Sequence, residues 1–288
     1  MDHDVAIVGG GAAGLAAAVF TARYGLDTAV FDGGKAAITQ CAHIENYLGF
    51  PGGISPDRFL ALGRAHATHE GAMVLDERVT AIDRHDTGGF RVETTGREVV
   101  ADRVIVAAAY DGEVLAPLAD ALPEPDPFVP TEAGRTNVAG LYVAGWMSDE
   151  TVHQVGVNAG HGARVGLALA RDDMSERYWP AVGERYVDWV VHDGRYGGDD
   201  WDEHVEDWFD REMRPEDGSV DRSRLEAACE DLKGEFLGRC VDEEERAERE
   251  RRGQRLLLEQ LDDDVISEYA RTVQSEDSAD AGGDDDGD

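Results

Sequence analysis

Three glycines at G-x-G-x-x-G spacing, Gly9, Gly11 and Gly14, and one carboxylate, Asp32, carry the most specific chemistry in this sequence. Glycines so spaced let the backbone turn tightly and approach a pyrophosphate. A helix opening directly behind them offers unpaired N–H groups to that anion. An acid about twenty residues on, after the next strand, lies where a ribose hydroxyl would donate to it. The chemistry is dinucleotide binding, with Gly9, Gly11, Ala12, Ala13 and Gly14 as the pyrophosphate turn and Asp32 as the ribose acceptor. Reactive side chains are fewer. Cys41 follows Gly33-Gly34 by seven residues; a thiolate there could attack an electrophile or oxidise to a sulfenic acid, and the alternative is a small loop residue with no chemistry. His43 and His153 could act as general acids or tune a bound ring, or be ordinary loop histidines. His161 falls on a helix, where packing alone would account for it.

The elements that must position these residues are legible in the hydrophobic pattern. Val5 to Val8 is a short apolar strand entering the glycine turn, an alanine-rich helix follows and stops at Gly25, and Thr28 to Phe31 is a second strand. Phe90 to Thr94 alternates like a half-buried strand, while Val104 to Ala107 and Leu141 to Ala144 are continuous apolar runs, as in strands buried on both faces. Pro117 to Pro130 is proline- and acid-rich and reads as a connecting loop. After Arg171-Asp172 the pattern turns helical. Leu225, Cys229, Leu232, Phe236 and Cys240 predict one helix face, with Ser223 and Glu226 as its capping box. Cys229 and Cys240 would lie roughly 16 Å apart on it, too far to pair, and read as core residues. A further helix is predicted from Asp242 to about Ala270, with Leu258, Leu261, Val265 and Tyr269 on one side. Trp179, Trp189, Trp201 and Trp208 read as anchors of this segment to the first domain or to a second subunit. The expected organisation is a dinucleotide domain over 1–172, a helical region over 173–274 and a disordered acidic tail over 275–288.

Composition narrows the class. The chain has 288 residues, 61 acidic against 27 basic, for a formal charge of −34, and its only lysines are Lys35 and Lys233. Residues 1–172 hold 23 acids and 12 bases; the remainder hold 38 and 15, so the charge concentrates in the second part. This composition resembles that of salt-accumulating haloarchaeal proteins. At molar salt the Debye length is about 3 Å, so carboxylate repulsion is screened while the surface stays hydrated. No basic patch exists to release phosphate counterions, which argues against nucleic-acid binding. Three cysteines do not make a secreted disulfide framework. No stretch approaches the ~20 apolar residues of a membrane span, and a strand beginning within five residues leaves no room for a signal peptide. A cytoplasmic protein is expected. No histidines stand at zinc-ligand spacing, and no G-x-x-x-x-G-K-[ST] loop is present.

Three further segments carry a resemblance to a family. Ile44-Glu45-Asn46-Tyr47-Leu48-Gly49-Phe50-Pro51-Gly52-Gly53-Ile54-Ser55 is similar to the E-N-Y-P-G-F-P-x-G-I-S loop of thioredoxin reductases. Arg78 to Asp83 resembles the strand where that family's backbone meets adenine, and Thr136 to Gly145 resembles its T-x-x-x-G-L-Y-A-A-G-D flavin motif. The resemblance implies a Rossmann-like α/β FAD-binding domain followed by a mostly helical acidic segment, with FAD as the resident dinucleotide. It implies that Val79 meets the adenine and that Asn46, Ala108, Gly145, Gln154 and Val155 position the rest of the cofactor. In the wider superfamily, redox cysteines occur in the region of Cys41. The sequence departs from the family in four places. Only Asp111 to Arg135 stands where relatives insert an NADPH domain, the Cys-x-x-Cys of that domain is absent, the A-T-G turn reads Ala107-Ala108-Ala109, and the final aspartate of the flavin motif is Trp146. Indole is a donor only, so Trp146 cannot accept a ribityl hydroxyl. The implied function is an FAD-dependent oxidoreductase fed by an external donor, NAD(P)H or a redox protein, with a possible homodimer. The other reading is a catalytically silent flavin-binding module.

Overall fold

The computed structural model describes residues 2–109, 112–122, 129, 132–185, 192–197, 199–215 and 218–280. The chain divides into two compact units, Met1–Cys240 and Val241–Asp288. In the first, seven strands form one sheet: β1 (His3–Val8), β2 (Thr28–Phe31), β3 (Met73–Leu75), β4 (Val79–Arg84), β5 (Phe90–Thr94), β6 (Glu98–Val106) and β7 (Leu141–Val143). The order is β3-β2-β1-β6-β5-β4. The strands β3, β2, β1 and β6 are parallel, and β4-β5-β6 is an antiparallel meander. The nine-residue β6 serves two partners along one edge: its first residues pair with β5 (Glu98 to Ala101), its last with the parallel β7 (Val104 to Val106).

The continuous apolar runs predicted as doubly buried strands are so because helices or further chain cover both faces. Side chains alternate across the sheet. Ala6, Val8, Ala29, Phe31, Val104 and Val106 enter one core with Ile82, Phe90 and Val92 of the meander. Val5, Ile7, Val30, Ile105 and Tyr142 enter the opposite core, under α1 (Ala12–Tyr24), α2 (Pro56–His69) and the long α3 (Val155–Arg177). The α1 helix stops at Gly25 in the left-handed region, as its sequence predicts. Of the loop expected over Pro117 to Pro130, the first residues are helical instead, and residues 123–128 and 130 lie outside the described residues. Gly112–Ala121, including Pro117, is a 3₁₀ helix that drives Val114, Leu115 and Leu118 into the first core, because three apolar side chains outweigh the loop character of the prolines beyond them.

A third cluster lies at the far end of α3, with α4 (Pro180–Arg185), α5 (Asp199–Glu212) and α6 (Arg222–Leu237). Ala170 and Met174 of α3 pack there with Trp179, Phe209, Met213 and Leu232, and the Trp179 indole N–H donates to the Met213 carbonyl at 2.7 Å. The α3 helix is continuous through position 172. Trp189 lies outside the described residues. The capping box expected at Ser223 is replaced by Asp221, which accepts from the Arg224 N–H and starts α6 two residues earlier. Cys240 lies beyond the end of α6, and Cys229 and Cys240 are both half-buried with their thiols pushed up in pKa, chiefly by burial.

The second unit holds two helices, α7 (Glu243–Leu258) and α8 (Asp263–Asp280), where one was expected to about Ala270. The break precedes Asp263-Asp264. Carboxylates there favour a new helix N-terminus and would be unfavourable in the middle of a continuous helix. Leu258, Leu261, Val265 and Tyr269 are exposed. The α8 helix includes residues 275–280; residues 281–288 lie outside the described residues.

The contact that fixes the second layer is backbone-to-backbone. A Cβ on Gly162 would lie 2.0 Å from the Ala13 carbonyl oxygen, and one on Gly166 would lie 2.8 Å from that of Ala17. Gly162→Ala must therefore separate α1 from α3. It is expected to cost about 1–3 kcal/mol, measured as a lower denaturation midpoint with an unchanged slope.

Candidate functional site

A cavity of about 1040 Å³ opens over the C-terminal ends of β1, β2 and β6. Its size is at the top of the usual range for ligand sites, roughly 300–1,000 Å³. It sits where open α/β sheets bind ligands. Gly9, Gly11, Ala12, Ala13, Asp32, Val79 and Ala108 line it, and so do Cys41, Asn46, Gly145, His153, Gln154 and Val155. Gly14 does not reach the cavity; it lies beneath the turn, where a Cβ would stand 1.9 Å from the Gly9 carbonyl oxygen. Gly9 has φ +111, and a Cβ on it would lie 2.5 Å from the Ala107 carbonyl. These two glycines serve the turn itself. Gly11 differs: a Cβ there would meet only Ala36, at 3.9 Å, on the cavity wall. It keeps space for something outside the protein.

The first turn of α1 has no side-chain cap, so its N–H groups face the cavity unsatisfied by the N-cap residue. The same holds for α3, whose N-cap is Gln154. The Gln154 side chain is used instead as an acceptor for the Asn46 amide, at 2.7 Å, which ties the 44–54 loop to the start of α3. That loop is closed at its base by reciprocal 2.9 Å backbone bonds between Ile44 and Ile54. It is held to α2 by Tyr47 against Phe59, with ring centroids 4.9 Å apart. Trp146 and His153 pack against each other with ring centroids 4.3 Å apart and planes tilted by 33°, and both line the cavity. Cys41 is exposed on the lining, and the His43 ring lies 3.1 Å from the Gly52 carbonyl, within the base of the same loop.

Three elements of the site have no counterpart in the sequence reading. The α2 helix was not anticipated, although Ser55-Pro56 is a helix-start signal: Ser55 accepts from the Arg58 N–H and Pro56 fills the first turn. From α2, Arg64 reaches Asp32 at 2.7 Å. The 3₁₀ segment contributes Glu113 to the lining, and Lys35 and Arg78 add cations near Asp32. His161, expected to be packing only, does more. It is buried, and its Nδ1 accepts the Gly145 N–H at 3.0 Å, which holds the turn that carries Trp146.

Among the described residues no group of three or more His, Cys, Asp or Glu side chains is placed to hold a metal ion, and no helix is long and apolar enough to cross a membrane.

Burial lowers the His161 pKa below its ordinary 6.5, Arg164 lowers it further, and Glu150 and Asp149 oppose the shift. The unfolded chain therefore takes up a proton at this residue at a higher pH than the folded chain does. The stability tied to neutral His161 is complete above about pH 6.5 and declines as the pH falls below it. Thermal melts between about pH 7.5 and 5.5 are expected to show a steeper loss for the wild type than for His161→Gln, which has no such titration.

Residues 3–112 match the family described as Pyridine nucleotide-disulphide oxidoreductase. Among curated proteins, the thioredoxin reductase of Aquifex aeolicus (strain VF5) is 36% identical over 108 residues, 37% of this chain and 33% of that protein. That of Treponema pallidum (strain Nichols) is 36% identical over 114 residues, 38% of this chain and 36% of that protein. The chain thus spans about a third of the length of these relatives. Among solved structures, T. acidophilum thioredoxin reductase aligns with a TM-score of 0.52 at 18% identity, over 60% of this chain and 99% of that one. The thioredoxin reductase from Gloeobacter violaceus aligns with a TM-score of 0.53 at 20% identity, over 60% and 96%. Residues 3–112 thus match the model of that family, and the sheet with its covering helices has the Rossmann-like α/β fold seen in the FAD-binding domain of thioredoxin reductases.

Proposed function

We propose that this chain is a compact FAD-dependent oxidoreductase that moves electrons between an external donor and an acceptor. The observation that carries the reading is the convergence of two uncapped helix N-termini, the glycine turn and Asp32 on a single cavity of dinucleotide size. In this reading Gly9, Gly11, Ala12, Ala13 and Gly14 form the pyrophosphate turn, Asp32 accepts from the adenosine ribose, and Val79 meets the adenine through its backbone. Asn46, Ala108, Gly145, Gln154 and Val155 frame the flavin half. FAD, when bound, supplies reversible acceptance of an electron pair. The chain supplies binding and electrostatics: the positive end of α3 favours negative charge at the adjoining edge of the ring. The Trp146–His153 pair excludes water from one side of it. Cys41 and His153 line the same cavity; in this reading Cys41 is the thiol that would act beside the ring and His153 the group that would hold or move a proton there. The donor is NAD(P)H docking transiently or a redox protein, because Asp111 to Arg135 is too short to hold a second dinucleotide fold.

A second reading, a flavin-binding module without turnover, is favoured by Trp146, which cannot accept the ribityl bond that the family's aspartate takes. The two readings part on reducibility. A bound flavin that no donor reduces identifies the silent module.

The first test is the absorption spectrum of protein purified in molar potassium chloride, with the released cofactor identified by chromatography. Bands near ~370 and ~450 nm with FAD released are expected; a colourless protein that takes up no added FAD overturns the proposal. Gly11→Val is expected to melt like the cofactor-free wild type, because its side chain enters open space, yet to lose at least about tenfold in FAD affinity. Full retention of FAD by that variant removes the pyrophosphate from this turn.

A further inference from the structure

Asp32 does not stand alone in the cavity. Its backbone N–H donates to the Leu75 carbonyl at 2.8 Å, which joins the end of β2 to the end of β3. One carboxylate oxygen accepts the Gly34 N–H at 2.9 Å, and the other accepts Arg64 Nη1 at 2.7 Å. The second Arg64 nitrogen, Nη2, donates to Asp76 at 2.6 Å, just past the end of β3. Gly10 lies against the same carboxylate, where a Cβ would stand 2.4 Å from it. The Asp32 side chain is only 13% exposed, Arg64 31% and Asp76 83%.

The geometry points to Arg64 as the positioning residue of the ribose site, a planar fork from α2 that straps Asp32 to Asp76 and so fixes the orientation in which Asp32 accepts ribose hydroxyls. The inference rests on the proposed dinucleotide function. Each carboxylate oxygen carries two lone pairs. One contact on each therefore leaves Asp32 an acceptor for a vicinal diol while removing its freedom to rotate. The charge matters as well. A pyrophosphate and a carboxylate share this cavity, and the guanidinium offsets one of the negative charges without competing for the ribose, because it approaches from α2 behind the carboxylate. A lysine could supply the charge and not the two-pronged geometry. Asp76 anchors the far side of the fork, so that it cannot swing into the cavity and pair with phosphate instead.

The test uses the full chain in molar potassium chloride and reads affinity for FAD, ADP, 2′-deoxy-ADP and FMN. Wild type and Arg64→Gln are expected to bind FMN alike, since FMN has no adenosine ribose. Arg64→Gln is expected to lose about tenfold for ADP, the scale of one hydrogen bond to a charged group. It is expected to lose less for 2′-deoxy-ADP, because this ligand lacks one of the two hydroxyls of the diol through which the arginine acts. Arg64→Lys should fall between the two. Asp76→Asn, which leaves the Asp32 contact in place, should give a smaller ADP loss of the same pattern and keeps the test open if Arg64→Gln folds poorly. Equal losses for ADP and 2′-deoxy-ADP, or none, overturn the positioning role while the dinucleotide reading stands. A wild-type chain that binds neither FAD nor ADP overturns both.

Discussion

The structure depends on how closely α1 and α3 approach. Ala13 faces Gly162 and Ala17 faces Gly166, so the contact steps forward along both helices together and the helices run parallel. Parallel helices place their N-termini at the same end. Two sets of unpaired N–H groups then open on one cavity, and two positive dipole ends add there instead of cancelling. Any side chain at the crossing would force the axes apart and splay these ends. The contact also sets an offset. Ala13 is one residue into α1, whereas Gly162 is seven residues into α3, so α3 projects about 9 Å further past the crossing. One helix therefore ends at the glycine turn and the other extends along the cavity to the Trp146–His153 pair.

That offset divides the site into two ends with different supports. The end at the glycine turn is held by backbone and charge: the turn at Gly9 and the Asp32–Arg64–Asp76 strap. The far end is held by neutral contacts, buried at His161 and exposed at Asn46. His161 accepts from Gly145, Asn158 donates to the Gln154 carbonyl at 2.9 Å, and the Asn46 amide bonds the Gln154 side chain. Screening by salt weakens exposed charge pairs far more than buried hydrogen bonds.

The parts of the fold legible in the sequence are those where a single local pattern decides. The β1 run, the Gly25 stop of α1 and the alternation of β5 need only nearest neighbours, and they fall where expected. The parts that were missed depend on distant partners. The three-residue β3 is too short for a periodicity and exists because it pairs with β2. The α2 helix buries only Pro56 and Ala67, so its apolar stripe is faint even though its cap is plain. The 3₁₀ segment reads as a loop until the meander supplies a core for Val114, Leu115 and Leu118. At the site, Gly9, Gly11, Asp32, Asn46 and Gly145, singled out from motif positions in the sequence, all come to line the one cavity. The roles of Arg64 and His161 were not readable there, because their importance lies in which atom the fold brings beside them and not in their spacing.

The edge that β6 shares between β5 and β7 has a further meaning. The chain leaves the sheet after Val106 and returns to it at Leu141, the parallel partner of Val104, only two residues back along the same edge. Whatever is placed between those points is held by two closely spaced tethers and closes its loop at the sheet whatever its length, since closure entropy grows only slowly with chain length. In this protein three apolar side chains of the 3₁₀ helix that follows β6 are packed into the first core, so the described start of that connection is anchored to the sheet it leaves.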